Sequence, residues 1–173
     1  MEALVQQARD FAFAAHNAID HRRKYTDEPY TTHLQRVADL VASVTDDACM
    51  IAAAYLHDTV EDTDTRIEDI HLHFGEEVAY LVKHLSDVSR PEDGNRAIRK
   101  EIDRQHIACG DARVHTIKLA DLIDNSESIQ TFDPGFAKVY MHEKRKLLTV
   151  LDDGDVRLLA RAQAIVGDWL ASA

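Results

Sequence analysis

The sequence predicts a single all-α domain over residues 1–173, and its length, composition and hydrophobic periodicity all point to it. At about 100–200 residues per domain, 173 residues make one domain. Six glycines and three prolines are too few for a sheet-rich fold with many turns. Apolar residues recur at helical spacing through almost the whole chain, so we expect a bundle of about eight to ten helices.

The predicted helices follow one another with short breaks. Thr32 is a candidate cap for the second helix, and Asp46 or Asp47 for the third. The third helix is apolar on all sides, which places it in the core. Residues 86–95 form the clearest irregular loop. The predicted spans are, in order, about residues 2–21, 32–44, 47–60, 65–75, 76–85, 96–108, 112–130, 135–151 and 155–171.

The charge balance excludes some partners. Twenty lysines and arginines against 31 aspartates and glutamates give a net charge of −11, which disfavours a nucleic acid partner. No apolar run approaches the ~20 residues that cross a bilayer, and no secretion signal begins the chain, so we expect a cytoplasmic protein without a membrane partner. Cys49 and Cys109 lack metal-binding spacing and are expected to be reduced and buried. A small anionic ligand is compatible with this charge if a cationic patch or a metal ion reverses the local field.

The end of the third predicted helix carries an unusual group of acids. Four carboxylates fall within seven positions from Asp58 to Asp64, after a stretch that is almost entirely apolar. A helix C-terminus prefers lysine or arginine, so these acids indicate a bound positive charge. Helical spacing pairs His57 with Glu61 and Asp58 with Asp62, each four residues apart. A His-Asp dipeptide alone is unspecific, and the alternative is a capped helix end with a solvated acidic tail.

Two further positions are candidate metal ligands. Asp121 lies among apolar residues with Asn125 one turn later, and a buried carboxylate needs a partner or a cation. The alternative for Asp121 is an ion pair with a core lysine or histidine. His33 begins the second helix, and a lone histidine there is otherwise an ordinary structural residue.

Together these residues predict a divalent cation site without sulfur. A set of two nitrogens and two oxygens with open positions suits Mn²⁺, Fe²⁺ or Mg²⁺ better than structural Zn²⁺. Such a cation polarises a phosphate oxygen and makes water more acidic. Glu61 and Asp62 are then candidate catalytic residues that orient the water or accept its proton. The candidate ligands are His33, His57, Asp58 and Asp121.

Two basic clusters are candidate phosphate sites. Residues 21–24, which include Arg23 and Lys24, stand out in an acidic chain, and arginine grips phosphate in a bidentate manner. The alternative is a helix end that complements its dipole. Lys144 begins a second basic cluster with Tyr140 one turn before it, and its alternative is a solvated helix face.

These motifs resemble the HD-domain hydrolases of alarmone nucleotides, the hydrolase half of the RelA/SpoT homologues and the small stand-alone enzymes. Three segments carry the resemblance over roughly residues 8–130: Arg23-Lys24 followed by Glu28-Pro29-Tyr30 and His33; Leu56-His57-Asp58-Thr59-Val60-Glu61-Asp62-Thr63; and Lys118-Leu119-Ala120-Asp121 with Asn125. The Phe74-Gly75 helix end is also similar. The run from Leu56 to Thr63 is far more specific than a His-Asp pair alone.

The resemblance implies an HD-domain fold and Mn²⁺-dependent removal of the 3′-pyrophosphate from ppGpp-like nucleotides. It implies that His33, His57, Asp58 and Asp121 hold the metal ion and that Glu61 and Asp62 act on the water. It also places Arg23 and Lys24 at phosphate and Asn125 at the nucleoside, with Lys118 of the same motif as a further substrate-binding candidate. Independently of the resemblance, the basic cluster that begins at Lys144, with Tyr140, is a candidate second wall of the substrate pocket. The implied partner is a small anionic nucleotide, and the oligomeric state stays open.

The chain departs from the family pattern near the expected nucleoside. Leu122 and Glu127 stand where arginines are usual, so ppApp-type nucleotides are alternatives to ppGpp. Leu34 replaces the usual proline after His33, at the start of a helix. The rival enzyme function is an HD phosphohydrolase that acts on NADPH or on a nucleoside 5′-monophosphate. The rival without catalysis is a nucleotide-sensing module, against which the presence of both Glu61 and Asp62 argues.

Overall fold

The computed structural model describes residues 2–172, and these contain nine α-helices, one 3-10 helix and no β-strand. The all-α prediction and the expected number of helices are therefore confirmed. The helices are α1 (Glu2–Ala18), α2 (Thr31–Ala42), α3 (Ala48–Leu56), α4 (Thr59–Asp62), α5 (Ile67–Leu85), α6 (Arg96–Ile107), α7 (Ala112–Phe132), α8 (Pro134–Leu148) and α9 (Val156–Ser172), with the 3-10 helix at Pro91–Asp93. Within residues 2–172, no helix has the length and apolar character needed to span a membrane.

The chain divides after Ser86 into two compact units. The prediction of one domain over residues 1–173 stays a prediction, and each unit is described by itself. In the first unit, α3 packs against α1, α2 and α5. Every side chain from Ala52 to Leu56 is buried, as the all-round apolar pattern predicts. The Asp47 carboxylate caps α3 by accepting from the backbone N–H groups of Cys49 and Met50.

Several helix ends in the first unit differ from their predicted positions. Thr32 does not cap α2, because its hydroxyl donates to the Pro29 carbonyl instead. α3 ends at Leu56 rather than at Val60, since the backbone leaves the helix around His57 and Asp58 and restarts as the single turn α4. The predicted break near Gly75 is confirmed, because Gly75 has φ 84° inside α5, a conformation that favours glycine.

In the second unit, α7, α8 and α9 pack against one another. α7 supplies most of the buried residues, among them Ile117, Leu119 and Leu122. The Asp111 carboxylate caps α7, and the loop at residues 86–95 lies where the sequence predicts it. Cys109 is exposed, so its predicted burial is wrong, because it lies just beyond the end of α6.

Candidate metal centre

Three predicted metal ligands converge in the first unit. His33 lies in the first turn of α2, while His57 and Asp58 occupy the break between α3 and α4. The two histidines are fully buried, and the Asp58 side chain is 16% exposed. His57 Nε2 lies 2.9 Å from Asp58 Oδ2, and His33 Nε2 lies 3.3 Å from His57 Nε2 and 3.5 Å from the same oxygen. One exposed edge therefore remains through which a ligand can enter.

The backbone fixes the orientation of the His57 ring. Its Nδ1 donates to the Ala54 carbonyl oxygen at 2.8 Å. In a neutral imidazole with this bond, Nε2 carries the lone pair. That lone pair faces the Asp58 carboxylate at 2.9 Å, an arrangement that is repulsive without a positive charge between them.

The spacing of these atoms fits a divalent cation. Ligands about 2.1 Å from one ion lie about 3.0–3.4 Å apart when their bond angles are octahedral or tetrahedral. The three observed separations run from 2.9 to 3.5 Å. Two imidazoles and a carboxylate at these distances are suited to hold a divalent cation on one side and leave the other side for water and substrate.

Tyr30 is a partner of the centre whose role the sequence analysis missed. Its hydroxyl donates to Asp58 Oδ2 at 2.6 Å and so fixes the carboxylate. Its ring stacks on His21, with a distance of 3.8 Å between the ring centroids. Tyr30 appears in the sequence only within the Glu28-Pro29-Tyr30 pattern, and nothing in the spacing predicts its bond to a residue 28 positions away.

His16 is a second residue that the sequence analysis missed. It is fully buried and its ring stacks on His21 and Tyr30, while its Nδ1 lies 2.9 Å from His21 Nδ1. Burial lowers the pKa of His16 to about 4, and the Asp58 carboxylate opposes this shift only in part. The signal was present in the sequence, because His16 follows Ala8 and Ala12 at four-residue spacing on the buried face of α1.

The predicted phosphate-binding residues of the first unit lie in a short loop between α1 and α2. Arg22 and Pro29 form an isolated antiparallel bridge, and the Arg23 N–H donates to the Glu28 carbonyl at 2.9 Å. Arg23 is buried with its guanidinium 5.8 Å from the Tyr30 ring centroid, whereas Lys24 is exposed. The loop thus brings Arg23 to the aromatic group whose hydroxyl binds Asp58.

The two predicted catalytic acids follow Asp58 in the single turn of α4. Glu61 and Asp62 are exposed, three and four residues after Asp58. Helical geometry places them on the same face as Asp58. Both carboxylates are therefore accessible to water within one helical turn of Asp58 along the chain.

The predicted ligand Asp121 belongs to the second unit, on α7. Its carboxylate is 7% exposed, accepts from Asn125 Nδ2 at 2.6 Å and pairs with Lys118 Nζ at 3.0 Å. Three predicted site residues of α7, Lys118, Asp121 and Asn125, therefore contact one another. The pair of Asp121 with Lys118 is the ion pair that the sequence offered as the alternative to a metal ligand. The assignment of Asp121 as a metal ligand stays a prediction.

A cluster of lysines surrounds this part of the second unit. Lys144 Nζ lies 4.8 Å from the centroid of the buried Tyr140 ring. Loss of solvation, together with the nearby Lys118 charge, lowers the pKa of Lys144 to about 8. Burial alone would raise the pKa of Asp87, but Lys118 and Lys100 hold it below its ordinary value. The Lys144 side chain is half-buried, whereas Arg145 and Lys146 of the same basic cluster are exposed, as on a solvated helix face. The role of Lys144 in substrate binding stays a prediction.

The two positions that depart from the family pattern have different surroundings. Leu122 is fully buried in the second unit. Glu127 is exposed and its carboxylate pairs with Arg161 of α9 at 3.1 Å. Leu122 therefore contributes to packing, and Glu127 is the departure that leaves a charged side chain on the surface.

Comparison with known proteins gives consistent results. The HD domain family model matches residues 8–151. A probable guanosine-3′,5′-bis(diphosphate) 3′-pyrophosphohydrolase of Synechocystis is 38% identical over 129 residues, which are 73% of this chain and 17% of that protein. The guanosine-3′,5′-bis(diphosphate) 3′-pyrophosphohydrolase MESH1 of Drosophila melanogaster is 36% identical over 126 residues, 70% of this chain and 68% of that one.

A solved structure is also similar. It is described as a metazoan ortholog of SpoT that hydrolyzes ppGpp, with a TM-score of 0.84 and 27% identity, and the match covers 96% of this chain and 95% of that one. The chain spans only 17% of the length of its Synechocystis relative and 19% of the length of its Aquifex aeolicus relative. It spans most of the length of the MESH1 proteins and of the solved ortholog.

Proposed function

The chain belongs to the HD domain family, among the alarmone hydrolases, and on this premise we propose that it removes the 3′-pyrophosphate from a ppGpp- or ppApp-type nucleotide. The observation that carries the proposal is the convergence of His33 Nε2, His57 Nε2 and Asp58 Oδ2 at separations of 2.9–3.5 Å. This donor set suits a divalent cation with open positions. The relatives named for this reaction share the family and, for MESH1, most of their length with this chain.

His33, His57 and Asp58 hold the cation in this proposal, and Asp121 is its fourth ligand. The Asp121 assignment rests on the resemblance, since its carboxylate is paired with Lys118 in the second unit. Mn²⁺ is the proposed ion because nitrogen and carboxylate ligands suit it, and Fe²⁺ or Mg²⁺ are the alternatives. When bound, the ion polarises a phosphate oxygen and makes water more acidic.

The residues of α4 act on the water. Glu61 or Asp62 accepts a proton as the water oxygen forms a bond to the phosphorus attached to the ribose 3′ oxygen. The bond between that phosphorus and the 3′ oxygen breaks, the 3′ oxygen gains a proton, and pyrophosphate leaves with the nucleoside 5′-diphosphate as the other product. Tyr30 holds the Asp58 carboxylate in place throughout, because its hydroxyl donates to Oδ2.

Cationic residues bind the phosphates in this proposal. Arg23 and Lys24 contact phosphate from the loop before α2, where Arg23 is already ordered by its backbone bond to Glu28 and by the Tyr30 ring. Lys118 and Lys144 are further cationic contacts. The substrate-binding set is completed by Tyr140 and Asn125.

The test is turnover of ppGpp and ppApp side by side by the Mn²⁺-loaded protein, with nucleotide and pyrophosphate both measured. Cleavage of either nucleotide to the 5′-diphosphate and pyrophosphate supports the proposal. The ratio of the two turnover rates shows whether the protein prefers guanine or adenine. Asp58→Asn should abolish turnover, whereas Asp64→Asn removes a neighbouring exposed acid and should not. Metal-loaded protein that cleaves neither nucleotide but releases orthophosphate from NADPH or a nucleoside 5′-monophosphate would overturn the proposal.

A second test addresses the catalytic acids. Glu61→Gln retains the shape of the side chain and removes its capacity to accept a proton. We expect a loss of about 10²–10⁴-fold in kcat, the range of a general base, with metal content unchanged. Activity within a few-fold of the unaltered protein would remove Glu61 from the mechanism.

A further inference from the structure

A second group of potential metal ligands lies in the second unit, apart from the residues of the proposed hydrolase reaction. His115 lies on α7, and Asp152 and Asp153 lie in the loop between α8 and α9. One ligand atom from each of the three residues lies within 4.8 Å of the others. The histidine is 2% exposed, while both aspartates are exposed.

The His115 imidazole has no partner among the residues that the structure describes. Both of its ring nitrogens are buried and neither makes a hydrogen bond. Buried polar atoms are nearly always satisfied, because an unpaired one loses its hydration without compensation. An imidazole always offers at least one donor or acceptor, so this site calls for a ligand that the protein atoms of residues 2–172 do not provide.

The loop is held directly against α7 at this point. The Asp155 N–H donates to Oγ1 of Thr116, the residue that follows His115 in α7, at 2.9 Å. A Cβ atom on Gly154 would lie 3.2 Å from the His115 carbonyl carbon and 2.6 Å from Leu119 Cδ1, so the glycine permits this close approach. The backbone that carries Asp152 and Asp153 is therefore anchored beside the histidine.

The spacing favours a shared ion over a direct ion pair. No ion pair joins His115 to either aspartate within residues 2–172. Two ligands about 2.1 Å from one ion lie up to about 4.2 Å apart, a separation that exposed carboxylates reach by side-chain rotation. Neither Asp152 nor Asp153 has a cationic partner in the described part of the chain, so both charges are available.

We propose that His115, Asp152 and Asp153 bind a divalent transition-metal ion that clamps the α8–α9 loop onto α7. An imidazole among the ligands favours Zn²⁺ or a similar ion over Ca²⁺ and Mg²⁺, which prefer ligand sets of oxygen alone. Water fills the remaining positions. The site is independent of the proposed reaction, because none of its residues takes part in it.

The experiment is a Zn²⁺ titration of the metal-stripped full chain in excess Mg²⁺, with bound zinc counted after removal of free ion. The test variant is Asp152→Asn with Asp153→Asn, which alters two exposed side chains. The matched control is Glu92→Gln with Asp168→Asn, which removes two exposed charges elsewhere in the second unit. His115→Gln is the second test variant.

We expect the double asparagine variant to bind one zinc equivalent fewer than the unaltered chain and the charge control to bind the same number. Asp58→Asn should retain this equivalent, so a failure of the proposed hydrolase centre and a failure of this site are distinguishable. Zinc should also raise the melting temperature of the Asp58→Asn protein. When Asp152→Asn and Asp153→Asn are combined with Asp58→Asn, that rise should disappear. Equal zinc content in the double asparagine variant and the unaltered chain would overturn the proposal, whether or not His115→Gln folds.

Discussion

Tyr30→Phe isolates the contribution of one hydroxyl to metal binding. That hydroxyl donates to Asp58 Oδ2 at 2.6 Å, and the same oxygen lies 2.9 Å from His57 Nε2. Phenylalanine keeps the ring, including its stacking on His21 at 3.8 Å, and removes only the donor. The change therefore acts on the orientation of the carboxylate rather than on packing.

The expected size of the effect follows from two independent estimates. A hydrogen bond to a charged group contributes about 1.5–3 kcal/mol, which corresponds to about 10- to 150-fold in an equilibrium constant. Loss of a residue that orients a metal ligand lowers metal affinity by about 10- to 100-fold. We therefore expect Tyr30→Phe to weaken Mn²⁺ binding by about 10- to 100-fold through greater freedom of the Asp58 side chain.

Loss of the Tyr30 hydroxyl has a second effect that acts in the opposite direction, so the measurement decides between the two. Loss of the donor also leaves more negative charge on Asp58, and if this outweighed the loss of orientation, Mn²⁺ would bind as tightly or more tightly. Competition against a chelator of known affinity measures the dissociation constant directly. Tyr80→Phe on α5 removes a hydroxyl elsewhere in the same unit and serves as the control. Unchanged or stronger Mn²⁺ binding by Tyr30→Phe would refute the role given to Tyr30.

Four further predictions concern stability and substrate binding. His16 has a pKa of about 4 in the folded chain against 6.5 unfolded, so the unfolded state binds the extra proton and the free energy of unfolding should fall by about 2 kcal/mol from pH 7 to pH 5. Urea unfolding in a chelator should show this fall, and His16→Gln should reduce it to the smaller part that comes from His21, whose pKa burial also lowers. Leu81→Ala, at a fully buried position, should cost about 2–5 kcal/mol, against less than about 0.5 for Leu72→Ala, which is 78% exposed. Asp47→Ala should cost about 1 kcal/mol through loss of the α3 cap, measured by the same unfolding. Lys144→Met should raise KM for the nucleotide more than it lowers kcat, and steady-state kinetics would contradict a binding role if KM stayed unchanged.

Hydrophobic periodicity was sufficient to predict most of the fold. It placed α3 in the core, because residues of this helix are apolar on every side, and they are buried. It also placed the break at Gly75, where the backbone adopts φ 84°. Helix ends were harder, since a short polar side chain has several possible partners: the Thr32 hydroxyl bonds to Pro29 and does not cap α2.

The candidate site was predictable as a set of residues but not as a set of contacts. Chemistry and spacing single out His57 and Asp58, which are adjacent in the chain. The bond from Tyr30 to Asp58 spans 28 positions and arises only when α2 packs on α3. The burial of His16 follows from its spacing after Ala8 and Ala12, but its stacking does not, because the stacked rings of His21 and Tyr30 come from the loop after α1 and not from its own helix.

The acidic segment also shows that one premise of the metal-site prediction was partly wrong. Hydrophobic periodicity predicts its carboxylates at the C-terminus of one long helix, where the helix dipole opposes them. In the structure α3 ends at Leu56, and Glu61 and Asp62 are the last two residues of the single turn α4, whose dipole is small because only four peptide units align. The long helix on which the dipole argument depended is therefore absent, and its dipole gives no reason for a cation near these two acids.

What does demand a positive charge is the meeting of three ligand atoms at the end of α3. His57 keeps helical backbone angles of φ −55° and ψ −37°, and its Nδ1 proton is committed to the Ala54 carbonyl, so its Nε2 lone pair faces the Asp58 carboxylate at 2.9 Å. From the first turn of α2, His33 Nε2 lies 3.5 Å from the same carboxylate oxygen. The packing of α2 against α3 is thus the structural feature that converts an unspecific dipeptide into a candidate metal centre.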